Sequence, residues 1–259
     1  MHRKISQWTR NLGLYGPLRA AKSRMDRLKP RNVRHRGLSR EFYGQFFAPG
    51  DLVFDVGANV GNRTEVFLDL GARVIAVEPQ PPCQEVLRRL FARNDRFTLV
   101  AEALGAQSGE AQMFVGDALV LSTLSPGWVS KMRASKRFGE FEWNEQATVQ
   151  VRTMDSLIAE QGEPAFCKID VEGFELEVIK GLTRPLNALS LEVASEHADA
   201  IIAALDCLDG LGKYEYNYSI SESMAMSMDR WVDGARIRRY IRCELGPNIF
   251  GDMYARRTA

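Results

Sequence analysis

The sequence predicts a doubly wound α/β fold with a mostly parallel sheet, and three observations carry that prediction. From residue 52 onward, short apolar runs alternate with segments of helical spacing. The first run ends in a glycine turn, Asp55-Val56-Gly57-Ala58-Asn59-Val60-Gly61, and the second ends in an acid, Glu78. In an open sheet of this kind a ligand binds beyond the carboxyl ends of the strands, where such glycines and a carboxylate belong.

Residues 5–28 place Ile5, Trp8, Leu12, Tyr15, Leu18 and Met25 at helix-like spacing, broken near Gly13 and by Gly16-Pro17, so two short amphipathic helices are expected. Residues 29–39, with Pro30, Gly37 and many basic side chains, read as a linker, and the compact domain is expected over 40–259 with a helix over 41–47. Strands are then expected over 52–56, 73–77 and 97–101. Helices are expected over 63–70, closed by Gly71, and over 82–93, opened by prolines. Segments 109–115 and 147–152 alternate like strands. Between them, residues 116–146 hold Trp128, Phe138, Phe141 and Trp143 in a polar context, which reads as an insertion or lid. A helix over 154–160, a buried strand over 165–171 and a helix over 174–182 follow. The chain is expected to finish with a strand over 188–193, a helix over 198–211 and strands over 213–220 and 249–255.

The 259 residues can bury the core of one α/β domain with an extension. No run approaches the roughly 20 consecutive apolar residues of a membrane span, and the N-terminus is too basic for a signal peptide. A cytoplasmic protein is therefore expected. Cys83, Cys167, Cys207 and Cys243 form no CxxC pair, so reduced thiols are expected rather than a zinc or redox site. The net charge of +1 hides an asymmetry: residues 1–50 carry twelve Lys and Arg against Asp26 and Glu41, whereas the remainder carries 22 against 31. Such a basic arm suits a membrane surface, a lipid-linked glycan or, as a lesser expectation, nucleic acid; a helical extension packed on the body is the alternative.

Gly57 and Gly61 allow a tight turn and a close backbone approach, and Asn59 tolerates left-handed geometry. Glu78, followed by the strand-stopping Pro79, can accept from both hydroxyls of a ribose. The spacing here is G-x-x-x-G, whereas dinucleotide enzymes favour G-x-G-x-x-G for a pyrophosphate. The Asp55 carboxylate repels a pyrophosphate but suits the ammonium of a methionine moiety. S-adenosylmethionine is thus the expected cofactor, with Asp55, Gly57, Ala58, Asn59, Gly61, Glu78 and Pro79 around it. The fold places its adenine beside Glu102 and Ala103.

DVGANVGNRT at 55–64, AVEPQP at 76–81, ALG at 103–105, KIDVEGFELEVIKG at 168–181 and GDMYARR at 251–257 together resemble the FkbM-type methyltransferases. The resemblance covers roughly residues 51–257, leaves out the basic arm, and is most specific at 168–181. It implies a class I methyltransferase sheet of seven strands with the last antiparallel. It also implies O-methylation of a hydroxyl on a sugar, glycan or polyketide-like product.

Methyl transfer is an in-line displacement in which positioning supplies much of the rate. Asp170 and Glu172, where the central strand leaves the sheet, can accept the hydroxyl proton or hold a sugar; both can equally cap the helix that follows. Glu192 and His197 are expected in the far wall of the acceptor pocket. A divalent metal could draw on Asp170, Glu172 and Glu192, but no ligand spacing singles them out, so none is expected. The aromatics of the insertion suit either sugar stacking or a small satellite core. The competing readings are an RNA-binding or RNA-methylating protein, favoured if the arm joins the Arg236 to Arg242 cluster in one basic surface, and a nicotinamide-dependent oxidoreductase.

Overall fold

A computed structural model describes residues 15–26, 28–117, 121–134, 141–246 and 249–258. The expected helical positions Ile5, Trp8 and Leu12, and Phe138 of the insertion, lie outside the described residues.

In chain order the elements are α1 (Tyr15–Asp26), α2 (Pro30–Tyr43), β1 (Leu52–Val56), α3 (Asn62–Asp69), β2 (Arg73–Val77), α4 (Pro81–Phe91), β3 (Phe97–Val100), β4 (Ala103–Leu104) and β5 (Gly109–Val115). They continue with α5 (Pro126–Ala134), β6 (Glu145–Arg152), α6 (Met154–Gln161), β7 (Phe166–Ile169), α7 (Glu175–Lys180), β8 (Ala188–Ala194), α8 (Ala198–Leu211), β9 (Tyr214–Ile220), α9 (Gly234–Arg239) and β10 (Phe250–Arg257). Seven strands form the main sheet in the order β3-β2-β1-β7-β8-β10-β9. All neighbours in it are parallel except β10, which runs antiparallel to β8 and β9. This is the class I methyltransferase arrangement. A three-stranded sheet, β4-β6-β5, branches from its edge.

Both faces of the main sheet are covered, so its central strands read as apolar runs. On one face Leu157, Val178, Ile201 and Leu205 from three helices pack on Phe54, Cys167 and Leu189. On the other, Phe42, Tyr43, Phe67 and Leu87 pack on Val53, Val74 and Phe166. Cys83 and Cys167 are buried and behave as small apolar groups; Cys243 is exposed, and none of the four forms a disulfide among the described residues.

The expected linker at 29–39 is helix: α2 runs unbroken across the expected boundary. Pro30 opens the helix, where its missing N–H costs little. Tertiary contacts then override the weak propensity of Gly37, because Phe42 and Tyr43 enter the core and Arg36 pairs with Glu65 at 2.7 Å. The long connection after β9 likewise contains a helix, α9, whose N-cap Asp233 accepts from the Arg236 amide.

One charge lies inside the sheet. Lys168, in the wholly buried β7, is 2% exposed, and its ammonium sits 2.9 Å from Asp252 on β10 and 3.1 Å from Asp170 at the end of β7. Burial opposes the charge, but Asp170 and Asp252 outweigh it and hold the lysine well above its ordinary pKa. Truncating one member of such a buried set strands the others without compensation. Lys168→Ala is expected to lower stability by about 3–5 kcal/mol, read from urea denaturation midpoints; a change within error would mean that the three groups are not coupled.

Candidate active site

A cleft of about 1030 Å³, part of it open to solvent, lies at the carboxyl ends of β1, β2 and β7. Its floor is the turn after β1. There Gly57 (φ 80°) donates to the Val77 carbonyl, and a Cβ on it would stand 1.8 Å from the Asp170 carbonyl oxygen. The glycine is thus required by the close approach of β7, before any ligand is considered. Gly61 does not line the cleft and instead packs beneath Phe91 and Leu87 of α4.

Glu78 is buried, and both of its carboxylate oxygens are engaged: Oε2 accepts from the Asn59 amide and Oε1 from the Gln80 amide, each at 2.8 Å. Gln84 holds the Glu78 carbonyl at 3.0 Å. Burial pushes the Glu78 carboxyl up to about 7, against the lowering pull of the two amides. Each oxygen retains a lone pair for a donor from the cleft. Beside it, the Asn59 Oδ1 is buried without a hydrogen-bond partner, as befits an acceptor waiting for a ligand hydroxyl or amine. Asp55 is 1% exposed, and Thr64 donates to its Oδ2 at 2.5 Å, leaving Oδ1 for the cleft. Burial raises its pKa, while Thr64 and Lys168 work against that rise. Ala58, Pro79 and Ala103 complete this end. Glu102 does not line the cleft; its half-exposed carboxylate lies 3.6 Å from Arg152.

At the other end Asp170 and Glu172 line the cleft. Glu192 is not in its wall, but one oxygen from each of the three carboxylates lies within 4.8 Å of the others. The in-register pairing of β8 with β7 and β10 brings Glu192 to that level of the sheet. Burial, then Asp170, Glu172 and Glu175, push Glu192 well above the usual carboxylate range. Such a trio can share a proton or hold a divalent cation, a grouping that chain spacing did not signal.

Neither Asp170 nor Glu172 caps α7, whose N-cap position is Phe174 and which has no side-chain cap. Glu175, buried in the first turn of α7, reaches back to accept from the amides of Val171 (3.1 Å) and Gly173 (3.2 Å). Glu172 (φ 54°) and Gly173 (φ 84°) both adopt left-handed geometry in the loop so held. Trp128 covers it: a Cβ on Gly173 would stand 2.2 Å from the indole. Thr123 also donates to the Glu172 carbonyl at 2.7 Å. The insertion is therefore docked on the acidic loop. Trp128 and Trp143 are buried with Leu121, Val129 and Met132, so these aromatics form the satellite core rather than a sugar platform.

His197 does not line the cleft. It is buried in the single turn before α8, against which α5 packs, and desolvation and Lys131 lower its pKa to about 4. It therefore does not stand in the acceptor wall where it is expected, because the single turn that carries it is buried beneath α5.

Sequence reasoning missed Arg63, Lys168, Glu175 and Asp252. Arg63 lines the cleft with its guanidinium 14% exposed, and its ion-pair partner is the exposed Glu222 at 3.0 Å. The signal for Lys168 was present, since a lysine inside an apolar strand demands a buried carboxylate. In the cluster at 236–242, Arg236 and Arg239 pair with Glu244 and Arg238 with Asp206 and Asp209, while the exposed Arg242 has no carboxylate partner among the described residues.

The profile of a family described as Methyltransferase FkbM domain matches residues 55–242. Hexuronic acid methyltransferase AglP of Haloferax volcanii is 29% identical over 155 residues, which cover 57% of this chain and 56% of that protein. The chloroplastic ribosomal RNA small subunit methyltransferase of Arabidopsis thaliana is 36% identical over 53 residues, covering 20% of this chain and 16% of that one. The match thus spans little more than half the length of the first relative. Among solved structures, a TehB-like SAM-dependent methyltransferase from Corynebacterium glutamicum superposes with a TM-score of 0.46 at 9% identity, over 93% of this chain and 100% of that one. A precorrin-6y C5,15-methyltransferase from Geobacter metallireducens gives 0.45 at 12% identity, over 86% of each. Likeness at that level adds nothing to the reading of the site.

If Glu175 sets the acidic loop, Glu175→Ala leaves the Val171 and Gly173 amides unpaired and loosens the loop by about 1–3 kcal/mol. Hydrogen exchange over residues 170–182 is expected to accelerate while the rest of the sheet keeps its protection; uniform acceleration would make the effect a global one.

Proposed function

The chain belongs to the FkbM methyltransferase family, whose cofactor is S-adenosylmethionine, and on that premise we propose that it methylates a hydroxyl group of a sugar-containing acceptor. The observation that carries the proposal is the meeting of Asp170, Glu172 and Glu192 beside the cofactor end of the cleft. Carboxylates in this number suit a polyhydroxyl acceptor, whose hydroxyls donate to them. The hexuronic acid methyltransferase among its relatives lends support to a sugar.

S-adenosylmethionine supplies an electrophilic methyl group when bound. The residues at the first end of the cleft fit it. Glu78 accepts from the ribose hydroxyls, its position fixed by two backbone amides. The orphaned Asn59 Oδ1 takes a further donor, and Asp55 and Asp170 provide negative charge for the ammonium and sulfonium. Arg63, whose present partner is an exposed and displaceable glutamate, offers a guanidinium to a carboxylate.

On the acceptor side, Asp170 and Glu172 orient the attacking hydroxyl. Glu192 would take its proton as the methyl group passes from sulfur to that oxygen and S-adenosylhomocysteine leaves. Burial, and then the repulsion of Asp170 and Glu172, raise the Glu192 carboxyl well above the usual carboxylate range and so strengthen it as a base. Lys168 holds Asp170 in place from below.

Three outcomes test this reading. Labelled methyl from S-adenosylmethionine is expected in an alkali-stable ether on a glycan or glycolipid fraction; label found only in RNA or protein would overturn the acceptor class. The rate is expected to rise with pH as Glu192 ionises, and Glu192→Gln is expected to lower kcat by about 10²–10⁴-fold and flatten that rise. Because Glu78 must be ionised to accept from the ribose, S-adenosylhomocysteine affinity is expected to weaken as pH falls below about 7, with uptake of the ligand releasing a proton there. The steepest slope is about tenfold per pH unit, and calorimetry of Glu78→Gln should show weaker, pH-independent binding.

A further inference from the structure

Six large apolar side chains stand exposed among the described residues, and five of them, Leu18, Met25, Leu28, Val33 and Leu38, fall within the first two helices and their turn. The sixth is Ile220. On α1, Gly16 and Ala20 face inward against α4, whereas Leu18, Lys22 and Met25, at i, i+4 and i+7, form the opposite stripe. Leu28, 82% exposed, continues that stripe into the turn. On α2 the inward face carries Ser39, Phe42 and Tyr43, and the outward face adds Arg31, Arg34 and Leu38.

The charge on this surface is mostly positive, with Asp26 on α1 and the exposed Glu41 in the last turn of α2 as its acids. Lys22, Arg31 and Arg34 are exposed, with no carboxylate partner among the described residues, and Asp26, the one acid in α1, is already paired with Lys29. Solvent-facing aliphatic groups set among unpaired cations match one kind of partner. A phosphate backbone is held by cations and by rings that stack on bases, and gains nothing from aliphatic side chains. The core of a protein interface is depleted of charge, above all of lysine. At the surface of an anionic bilayer both features are satisfied at once, since aliphatic groups enter the boundary of the acyl chains while the cations meet the lipid headgroups.

We propose that α1, α2 and the turn between them form a membrane-docking surface that inserts Leu18, Met25 and Leu28 into an anionic lipid bilayer, with Lys22, Arg31 and Arg34 on the headgroups. The docked element reaches the rim of the cleft: His35 on α2 stands 3.6 Å from Glu222, which lines the cleft opposite Arg63. The surface itself does not depend on which acceptor the cleft takes.

Vesicle co-sedimentation of the full chain tests this. Vesicles of phosphatidylcholine with phosphatidylglycerol are expected to bind it, those of phosphatidylcholine alone to bind far less, and added salt to weaken the anionic case by about fivefold for each cation engaged. The triple variant Leu18→Gln, Met25→Gln, Leu28→Gln keeps every charge and is expected to lose at least about tenfold in partitioning. Its S-adenosylhomocysteine affinity should be unchanged, which shows that the domain remains folded. Unaltered partitioning of this variant would overturn the proposal. So would binding of polyuridylate without vesicle binding, or a concentration-dependent dimer that the glutamines abolish while vesicles are ignored.

Discussion

The arrangement depends first on an ammonium group held where water cannot reach it. Lys168 occupies the middle of a fully buried strand, and the fold accommodates its charge only because Asp252 and Asp170 converge on it. Asp252 lies on β10, 84 residues away in sequence and two strands away in the sheet, so the contact spans β8 and draws the antiparallel strand against the parallel ones. Asp252 in turn accepts from Tyr254, whose hydroxyl meets that of Tyr43 on α2. A single charge thus connects the centre of the sheet, the last strand and the basic N-terminal helices. The same ammonium orients Asp170, the carboxylate that faces the cleft.

The site follows a consistent rule: groups that meet the ligand are held by backbone, and backbone is held by groups that do not. Glu78 is set by two amides, and the acidic loop by Glu175. Gly57 is needed because the turn after β1 touches the Asp170 carbonyl, which binds the cofactor end and the acceptor end of the cleft into one rigid piece. The insertion adds a second layer, with Trp128 seated on Gly173 and Thr123 bonded to Glu172. Such preorganisation suits a displacement reaction, in which much of the rate derives from alignment and little from a strong base. Burying Glu192 and setting two further carboxylates beside it raises its carboxyl, and that rise is the source of the basicity proposed for it.

The N-terminal helices carry positive charge and exposed aliphatic side chains, yet they are built into the domain. Tyr43 packs edge-on against Phe67 and lies beside Phe166, and Arg24 bonds the Arg89 carbonyl at the end of α4. A partner met by these helices is therefore met by the catalytic domain as a whole, close to the cleft.

Hydrophobic periodicity was enough to read the alternation of strands and helices, because strands covered on both faces must be apolar runs and the helices between them must be striped. The glycine turn and Glu78 were legible for a similar reason: both sit where a strand ends, and local backbone geometry dictates the residue types there. The helix through residues 29–39 was not legible, since its stability comes from Phe42, Tyr43 and the Arg36–Glu65 pair rather than from its own propensity. Sequence by itself determined the sheet, the glycine turn and Glu78 at its strand ends, and the charge asymmetry, all set within a few residues along the chain. Only the tertiary structure decided that Glu192 comes within reach of Asp170 and Glu172, that Glu175 holds the acidic loop, that His197 is walled off and that Lys168 faces Asp252. Each of those outcomes depends on strand register and on desolvation, which act between residues distant in sequence and leave no periodic trace.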